Sequence, residues 1–258
     1  MSAIEQKEII DIAKKAGEAI LDIYGERDFQ IESKRDQSPL TIADKASHEI
    51  IAESLSIKYP HIPILSEEGN NISYEERSNW NTFWLVDPLD GTKEFIKRNG
   101  DFTVNIALVD KGYPVLGVIY VPVTNVTYAA EEGKGAYRWN EKGEPVRIRT
   151  KQPEEQKKWI LVESRSHPSP ELEAYMNELS EQHVTFTRIQ RGSSLKFCAV
   201  AEGQAHMYPR LGPTMEWDTA SGQIIVEEAG GTVKDLQGNR FLYNKRSLVN
   251  DHFIVNYQ

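Results

Sequence analysis

Phe83-Trp84-Leu85-Val86-Asp87-Pro88-Leu89-Asp90-Gly91-Thr92-Lys93-Glu94-Phe95 is an apolar run that stops at two carboxylates three residues apart. Its four leading apolar residues read as a buried strand, and Pro88 ends it, because proline cannot donate to a ladder and restricts the residue before it. A tight turn follows at the edge of the sheet, where Asp87 and Asp90 face one small volume. Two hard anionic oxygen donors this close repel each other unless a cation lies between them, and Mg²⁺ is the natural candidate. Gly91 permits close backbone approach, and Gly91-Thr92-Lys93 opens a helix whose unpaired N–H groups point toward an anion. The competing reading of an Asp-x-x-Asp is a turn followed by a helix cap, since aspartate serves both purposes.

Working outward, Ile9, Ala13, Ala16, Ile20 and Ile23 recur at helical spacing, so residues 3–24 form an amphipathic helix that Gly25 ends. A second helix is expected over 44–59, with Asp44 as its N-cap and Pro60 beyond it. Ile62 to Leu65 is a short strand running into Glu67 and Glu68, whose side chains point to opposite sides of an extended segment and so have different roles. Residues 70–81 read as an exposed polar loop. Lys97 and Arg98, close in sequence to the carboxylates, could steer a phosphorylated ligand. Phe102 to Val109, Val115 to Tyr120, Val126 to Ala129 and Gly135 to Trp139 form an antiparallel meander.

The polar stretch 150–158 is the expected boundary between an N-terminal α+β subdomain, 1–150, and a C-terminal α/β subdomain, 151–258. Beyond it strands and helices alternate, as in an α/β layer. Arg191-Gly192-Ser193-Ser194-Leu195-Lys196 is a glycine-serine turn entering a helix with a lysine one turn in, an anion site by geometry. Ser164-Arg165-Ser166-His167 and Tyr208-Pro209-Arg210 add polar and cationic groups at strand ends. Asp218, in Glu216-Trp217-Asp218-Thr219-Ala220-Ser221-Gly222, precedes another helix and on its own reads as an N-cap.

With 258 residues, 39% of them hydrophobic, the chain can build one large core or two moderate ones. A net charge of −9 argues against a nucleic-acid polymer as partner, which calls for a basic face. A small phosphorylated ligand remains compatible, because a bound metal reverses the local field. Cys198 is the single cysteine, so no intramolecular disulfide forms and a reducing compartment fits. No apolar run approaches the roughly 20 residues of a transmembrane helix, and the N-terminus lacks a signal-peptide core. The expected location is the cytoplasm; peripheral association with the cytoplasmic face of the inner membrane and the oligomeric state are left open.

Asp87-Pro88-Leu89-Asp90-Gly91-Thr92 resembles the central signature of the metal-dependent, lithium-sensitive phosphatases of the inositol monophosphatase superfamily. Ser38-Pro39-Leu40-Thr41-Ile42-Ala43-Asp44, Ser66-Glu67-Glu68-Gly69 and Glu216 to Gly222 resemble its other motifs, in the same order. Over nearly the whole chain, most of all in Trp84 to Ala107, Gly192 to Cys198 and Tyr208 to Gly222, the sequence is similar to bacterial bisphosphate nucleotidases of the CysQ type. The resemblance implies a layered αβαβα sugar-phosphatase-like fold, two sheets with flanking helices of α+β and α/β character. It implies Mg²⁺, two or three ions per site. Glu67, Asp87 and the Leu89 carbonyl would hold one; Asp87, Asp90 and Asp218 a second; a weaker third would lie near Glu67, with Glu68 as an outer acceptor.

The implied reaction removes the 3′-phosphate of 3′-phosphoadenosine 5′-phosphate by in-line attack of a metal-activated water, giving AMP and phosphate, as in disposal of this by-product of sulfate assimilation. Thr92, hydrogen-bonded to Asp44, or alternatively Glu67 would take the water's proton. The Gly91 and Thr92 amides would hold the cleaved phosphate, while His167, Gly192, Ser193, Ser194, Lys196, Arg210 and Asp218 bind the rest of the nucleotide. An inositol or sugar monophosphatase on the same scaffold would leave the Gly192 to Lys196 site empty. A non-catalytic phosphonucleotide-binding protein would lack a metal carboxylate or Thr92, and none is missing.

Overall fold

The computed structural model describes residues 4–26, 31–33, 39–140, 143–154, 158–165, 170–181 and 185–258; Ser38, Ser166 and His167 lie outside the described residues. The chain begins with helix α1 (Gln6–Gly25), an antiparallel pair β1 (Ile31–Ser33) and β2 (Pro39–Thr41), and helix α2 (Ile42–Lys58). Strand β3 (Ile64–Ser66), the one-turn helix α3 (Tyr74–Arg77), β4 (Thr82–Asp90) and α4 (Thr92–Ile96) follow. The meander is β5 (Thr103–Asp110), β6 (Tyr113–Val121), β7 (Val126–Glu131), β8 (Gly135–Trp139) and β9 (Val146–Arg147). The remainder runs β10 (Lys158–Ser164), α5 (Pro170–Glu181), β11 (Thr185–Arg191), α6 (Leu195–Ala201), β12 (Met207–Arg210), α7 (Glu216–Glu228), β13 (Gly231–Asp235) and β14 (Phe253–Tyr257).

Strands β3 to β9 lie in chain order in a seven-stranded sheet, parallel at β3 and β4 and antiparallel thereafter. The second sheet has five strands in the order β11-β10-β12-β14-β13. Period-two alternation explains the layers. Trp84 and Val86 point into a cluster with Ile9, Ala13, Ile20, Ile51 and Leu55 of α1 and α2. Phe83 and Leu85 point the other way, into a cluster with α6 and α7 that continues to Phe253 and Val255 of the second sheet. A strand buried on both faces carries no polar alternation, which is why 83–86 is unbroken in the sequence. On the outer face of the second sheet, Leu172 and Met176 of α5 cover Leu161 and Met207. The order of layers is helix, sheet, helix, sheet, helix, and among the described residues no helix is long and apolar enough to cross a membrane.

Two local expectations are corrected. Pro88 does not end the strand: β4 continues to Asp90, and its pairing with β5 moves from Asp87 opposite Asn105 to Asp90 opposite Thr103. Three steps on β4 match two on β5, so one extra residue bulges out where the ladder asks no N–H of Pro88. In a regular strand residues three apart face opposite ways; the bulge removes that opposition and lets Asp87 and Asp90 serve one site. The expected loop 70–81 contains α3, and its Arg77 is buried, donating to Asn244 Oδ1 at 2.8 Å and to the Arg246 carbonyl at 3.0 Å. The guanidinium satisfies backbone that would otherwise be buried without a partner.

Helix α7 lies very close to the first sheet. A Cβ on Gly117 of β6 would come 2.5 Å from Ile224 Cγ2 and 2.8 Å from the Ser221 carbonyl oxygen. Gly117→Ala is therefore expected to destabilise the protein by about 1–3 kcal/mol through overpacking, read as a melting midpoint lowered by roughly 2–4 °C per kcal/mol. An unchanged midpoint would mean that α7 shifts freely.

Buried His206 ties the start of β12 to β10 within the second sheet: its ring Nδ1 accepts the Ile160 N–H at 2.8 Å, while its backbone N–H donates to the Ile160 carbonyl at 2.8 Å. Burial, reinforced by the Lys151 charge, holds its pKa below the ordinary imidazole value. The unfolded chain thus binds the proton more readily, and stability contributed by neutral His206 is complete above pH ~6.5 and lost as pH falls through the folded value. Urea midpoints between pH 7.5 and 5 should fall for the parent and fall less for His206→Gln; parallel slopes would remove His206 as the cause.

Candidate active site

The end of β4, the first turns of α4 and α7 and the turn before α6 meet around a cavity of about 330 Å³. Its wall combines Glu67, Asp87, Leu89, Asp90, Gly91 and Thr92 from the first half of the chain with Gly192, Ser193, Ser194, Lys196, Arg210 and Asp218 from the second. Residues more than a hundred positions apart thus share one wall-to-wall space. Among the site residues expected from sequence, Asp44 lies behind Thr92 and His167 lies outside the described residues.

Asp87 is 1% exposed, and its Oδ1 accepts the Leu89 N–H at 3.1 Å, which fixes the carboxylate against the bulge. The Glu67 N–H donates to the Val86 carbonyl at 3.1 Å, so the end of β3 is tied to β4. Ser47 of α2 donates to the Pro88 carbonyl at 2.7 Å, fixing the bulge from the helix side. Burial raises the Asp87 pKa well above the carboxylate range, with further upward pushes from Glu67, Asp90 and Asp218. Asp218 is raised in the same direction, by burial first and then by Asp90 and Glu67. Each carboxylate feels the others through a medium that screens poorly. Among the described residues no three such side chains already converge on one ion-sized point, so the cluster shares a cavity rather than a closed coordination cage.

Asp44 and Asp218 occupy the third position of their helices, not the N-cap expected of each. In α2 the cap is Thr41, and Asp44 Oδ2 accepts from Thr41 N–H at 2.8 Å and Thr41 Oγ1 at 2.5 Å. In α7 Asp218 Oδ2 accepts the Met215 N–H at 2.8 Å. A carboxylate at this position reaches back over the first turn and leaves its second oxygen for other work. For Asp44 that oxygen accepts from Thr92 Oγ1 at 3.2 Å.

Ser194 Oγ lies 2.7 Å from Asp90 Oδ2 and 3.0 Å from the Asp218 carbonyl, one proton shared between two acceptors. Asn105 Nδ2 donates to Ser194 Oγ at 2.9 Å and to Asp90 Oδ2 at 3.3 Å, and Thr103 Oγ1 donates to Asn105 Oδ1 at 3.0 Å. Ser194, expected on the nucleotide and present on the cavity wall, also braces the Asp90 carboxylate against the Asp218 backbone. Asn105 and Thr103 were missed; the available signal was a polar side chain inside the apolar strand Val104 to Val109, buried at 1% and 0% respectively.

The cavity wall carries cations as well. Lys196 is buried, donates to the Ser193 carbonyl and lies 5.5 Å from the centre of the Tyr208 ring. Burial lowers its pKa to about 8, against an opposing pull from Asp90 and Asp218. Arg210 donates to the Pro213 carbonyl at 2.8 Å, while its buried Nε has no hydrogen-bond partner. A buried guanidinium N–H without an acceptor beside a cavity suits an anion. The proposed steering residues are elsewhere: Arg98 donates to the Tyr24 and Glu26 carbonyls at the end of α1, and Lys97 is not on the cavity wall, where Lys93 is. Glu68 also lies off the wall, with its charge acting on His48.

The profile of the inositol monophosphatase family matches residues 5–256. The chain is 47% identical over 253 residues to the 3′(2′),5′-bisphosphate nucleotidase CysQ of Escherichia coli strain K12, covering 96% of this chain and 98% of that one. It is 35% identical to the CysQ of Haemophilus influenzae over 96% and 91% of the two chains. Among solved structures, CysQ of Bacteroides thetaiotaomicron superposes with a TM-score of 0.85 at 45% identity, over 98% of this chain and 96% of that one. An IMPase of Thermotoga maritima superposes with a TM-score of 0.79 at 26% identity, over 97% and 91%. Layer order, carboxylate cluster and sequence agree: the chain belongs to the inositol monophosphatase family.

Proposed function

We propose that the chain is a 3′(2′),5′-bisphosphate nucleotidase that hydrolyses the 3′-phosphate of 3′-phosphoadenosine 5′-phosphate to AMP and phosphate. The observation that carries the reading is one cavity lined both by carboxylates, Glu67, Asp87, Asp90 and Asp218, and by cations, Lys196 and Arg210. A substrate with two phosphates, one for a metal held by the carboxylates and one for the cations, matches both. The names of the relatives at 47% identity support the same activity.

The donor set suits Mg²⁺. It consists of oxygens alone, which select hard cations, and its carboxylates are pushed toward protonation by one another, a strain that a divalent ion relieves. Glu67, Asp87 and the Leu89 carbonyl would hold one ion, Asp87, Asp90 and Asp218 a second, and Glu67 a weaker third. The chemistry Mg²⁺ supplies when bound is neutralisation of the phosphoryl and leaving oxygens and a nucleophilic water near neutral pH.

The chain's own groups do the rest. The Thr92 hydroxyl, donating to Asp44, orients the attacking water and can hand its proton to the Asp44 carboxylate; Glu67 is the other acceptor in reach of the cavity. The Gly91 and Thr92 amides hold the cleaved phosphoryl group. The P–O3′ bond breaks as the new P–O bond forms, and the ribose oxygen leaves as a hydroxyl after taking a proton. Ser193, the Gly192 turn, Lys196 and Arg210 hold the remaining nucleotide with its 5′-phosphate, and Ser194 keeps Asp90 and Asp218 in register. Residues 1–150 form the subdomain with most of the carboxylates and 151–258 the one that completes the cluster and binds the nucleotide. The enzyme works in the cytoplasm, where Cys198 stays reduced.

Phosphate release from 3′-phosphoadenosine 5′-phosphate and inositol 1-phosphate should be compared side by side, with Mg²⁺ and with EDTA. Strong EDTA-sensitive preference for the nucleotide is expected; preference for the inositol ester would make the chain a monophosphatase. Asp90→Asn and Asp218→Asn should reduce turnover to background while the melting midpoint in EDTA holds or rises, because each removes one charge from a repelling cluster. Turnover at the parent rate would remove the metal assignment. Ser194→Ala, which frees the Asp90 carboxylate from the Asp218 backbone without deleting a carboxylate, should lose roughly 10- to 100-fold in activity and require more Mg²⁺ for half-maximal rate; an unchanged Mg²⁺ dependence would count against the bracing role.

A further inference from the structure

Three turns meet at Asp101, a residue that precedes β5 and is absent from the cavity wall. Its carboxylate Oδ2 accepts the Gly192 N–H at 2.9 Å and pairs with Arg165 Nη2 at 3.1 Å. Its carbonyl accepts from Ser193 Oγ at 3.0 Å, and its own N–H donates to Asn99 Oδ1 at 3.0 Å. The turn at Gly91 presses on the same residue: a Cβ there would lie 3.1 Å from the Asp101 carbonyl oxygen and 3.2 Å from Ser193 Cβ. A Cβ on Gly192 would lie 2.6 Å from that oxygen and 2.7 Å from Asp101 Cβ. The turn that holds the cleaved phosphate and the turn that faces the distal one are therefore packed backbone to backbone through a single residue.

Ser193 adds a second observation. Its φ of 38° lies in the left-handed region that is unfavourable for a non-glycine residue, a conformation that persists only where its surroundings over-determine it. The hydroxyl bond to the Asp101 carbonyl and the neighbouring amide bond to its carboxylate are those surroundings.

We propose that Asp101 is a positioning residue for the bisphosphate: by holding the Gly192–Ser193 turn against the Gly91 turn, it sets the spacing between the sites for the two phosphates. The inference rests on the nucleotidase reading and deepens it. Asp101 touches no substrate. Loss of its carboxylate would free the Gly192 N–H and Arg165, leaving the Ser193 hydroxyl on the residue 101 carbonyl as the turn's remaining tie, so that the distal turn drifts while Thr92, Asp44 and the carboxylates keep their own bonds. Misplacement of the distal phosphate then appears in KM for a substrate that carries two phosphates and not for one that carries only the phosphate being cleaved.

The test compares Asp101→Ala with the parent on 3′-phosphoadenosine 5′-phosphate and on 3′-AMP, which presents the same scissile bond without the 5′-phosphate. For the bisphosphate, KM should rise on the order of tenfold or more with kcat within about threefold, whereas for 3′-AMP both should stay within about threefold. Asp101→Asn retains an oxygen for the Gly192 N–H and should recover most of the bisphosphate KM. Equal losses on the two substrates, an unchanged bisphosphate KM, or an Asn variant as impaired as the Ala variant would each overturn the proposal. If Asp101→Ala does not fold, Asp101→Ser, too short to span to the Gly192 amide, gives the same comparison. A parent enzyme that fails to hydrolyse the bisphosphate overturns the nucleotidase reading and this inference together; a parent that hydrolyses it without the KM split overturns this inference alone.

Discussion

Glu67, Asp87, Asp90 and Asp218 repel one another, and the architecture around them is the set of restraints that keeps them together. A one-residue bulge in β4 turns two carboxylates to the same side. Ser47 and the Leu89 amide hold that bulge from opposite directions. Asp218 arrives on α7, whose first turn anchors one of its oxygens, and Ser194, backed by Asn105 and Thr103, spans from Asp90 to the Asp218 backbone. Each restraint is a single hydrogen bond, worth only about 0.5–1.5 kcal/mol net between neutral groups and about 1.5–3 kcal/mol where the acceptor is an ionised carboxylate. It is their number and their rigid backbone frame that resist the repulsion.

The helix termini contribute to the same balance. Asp44 and Asp218 sit in the first turns of α2 and α7, where unpaired amides carry partial positive charge. The Met215 amide pulls against the burial that raises the Asp218 pKa, and each carboxylate is oriented by a backbone N–H. The same geometry gives Asp44 a spare oxygen for Thr92, so one local capping arrangement serves both folding of the helix and orientation of the hydroxyl beside the cavity.

Much of this was legible in the sequence. The unbroken run 83–86 identified a buried strand, and three of the four acidic motifs named residues that the fold brings to one cavity, the other supplying Asp44 behind Thr92. What was illegible depended on register and long-range packing. Proline in β4 reads as a stop unless the bulge is known. Asp44 and Asp218 read as caps because a carboxylate three residues into a helix leaves a similar local signature. Arg77 reads as solvated until Asn244, 167 positions away, is brought against it. Arg98 reads as a ligand-steering charge but is consumed by carbonyls at the end of α1. Asp101 carries no motif at all; its importance lies in which two glycine turns happen to meet there.

The apolar cluster between the sheets has a consequence for the cleft. It runs without interruption from Leu85 on β4 through Ile225 on α7 to Val255 on β14, so the two walls of the cleft are faces of one packed interior. Close-packed interiors transmit strain, so a change in any one of these side chains is felt at both walls, and the shape that selects a ligand is a property set when the chain folds.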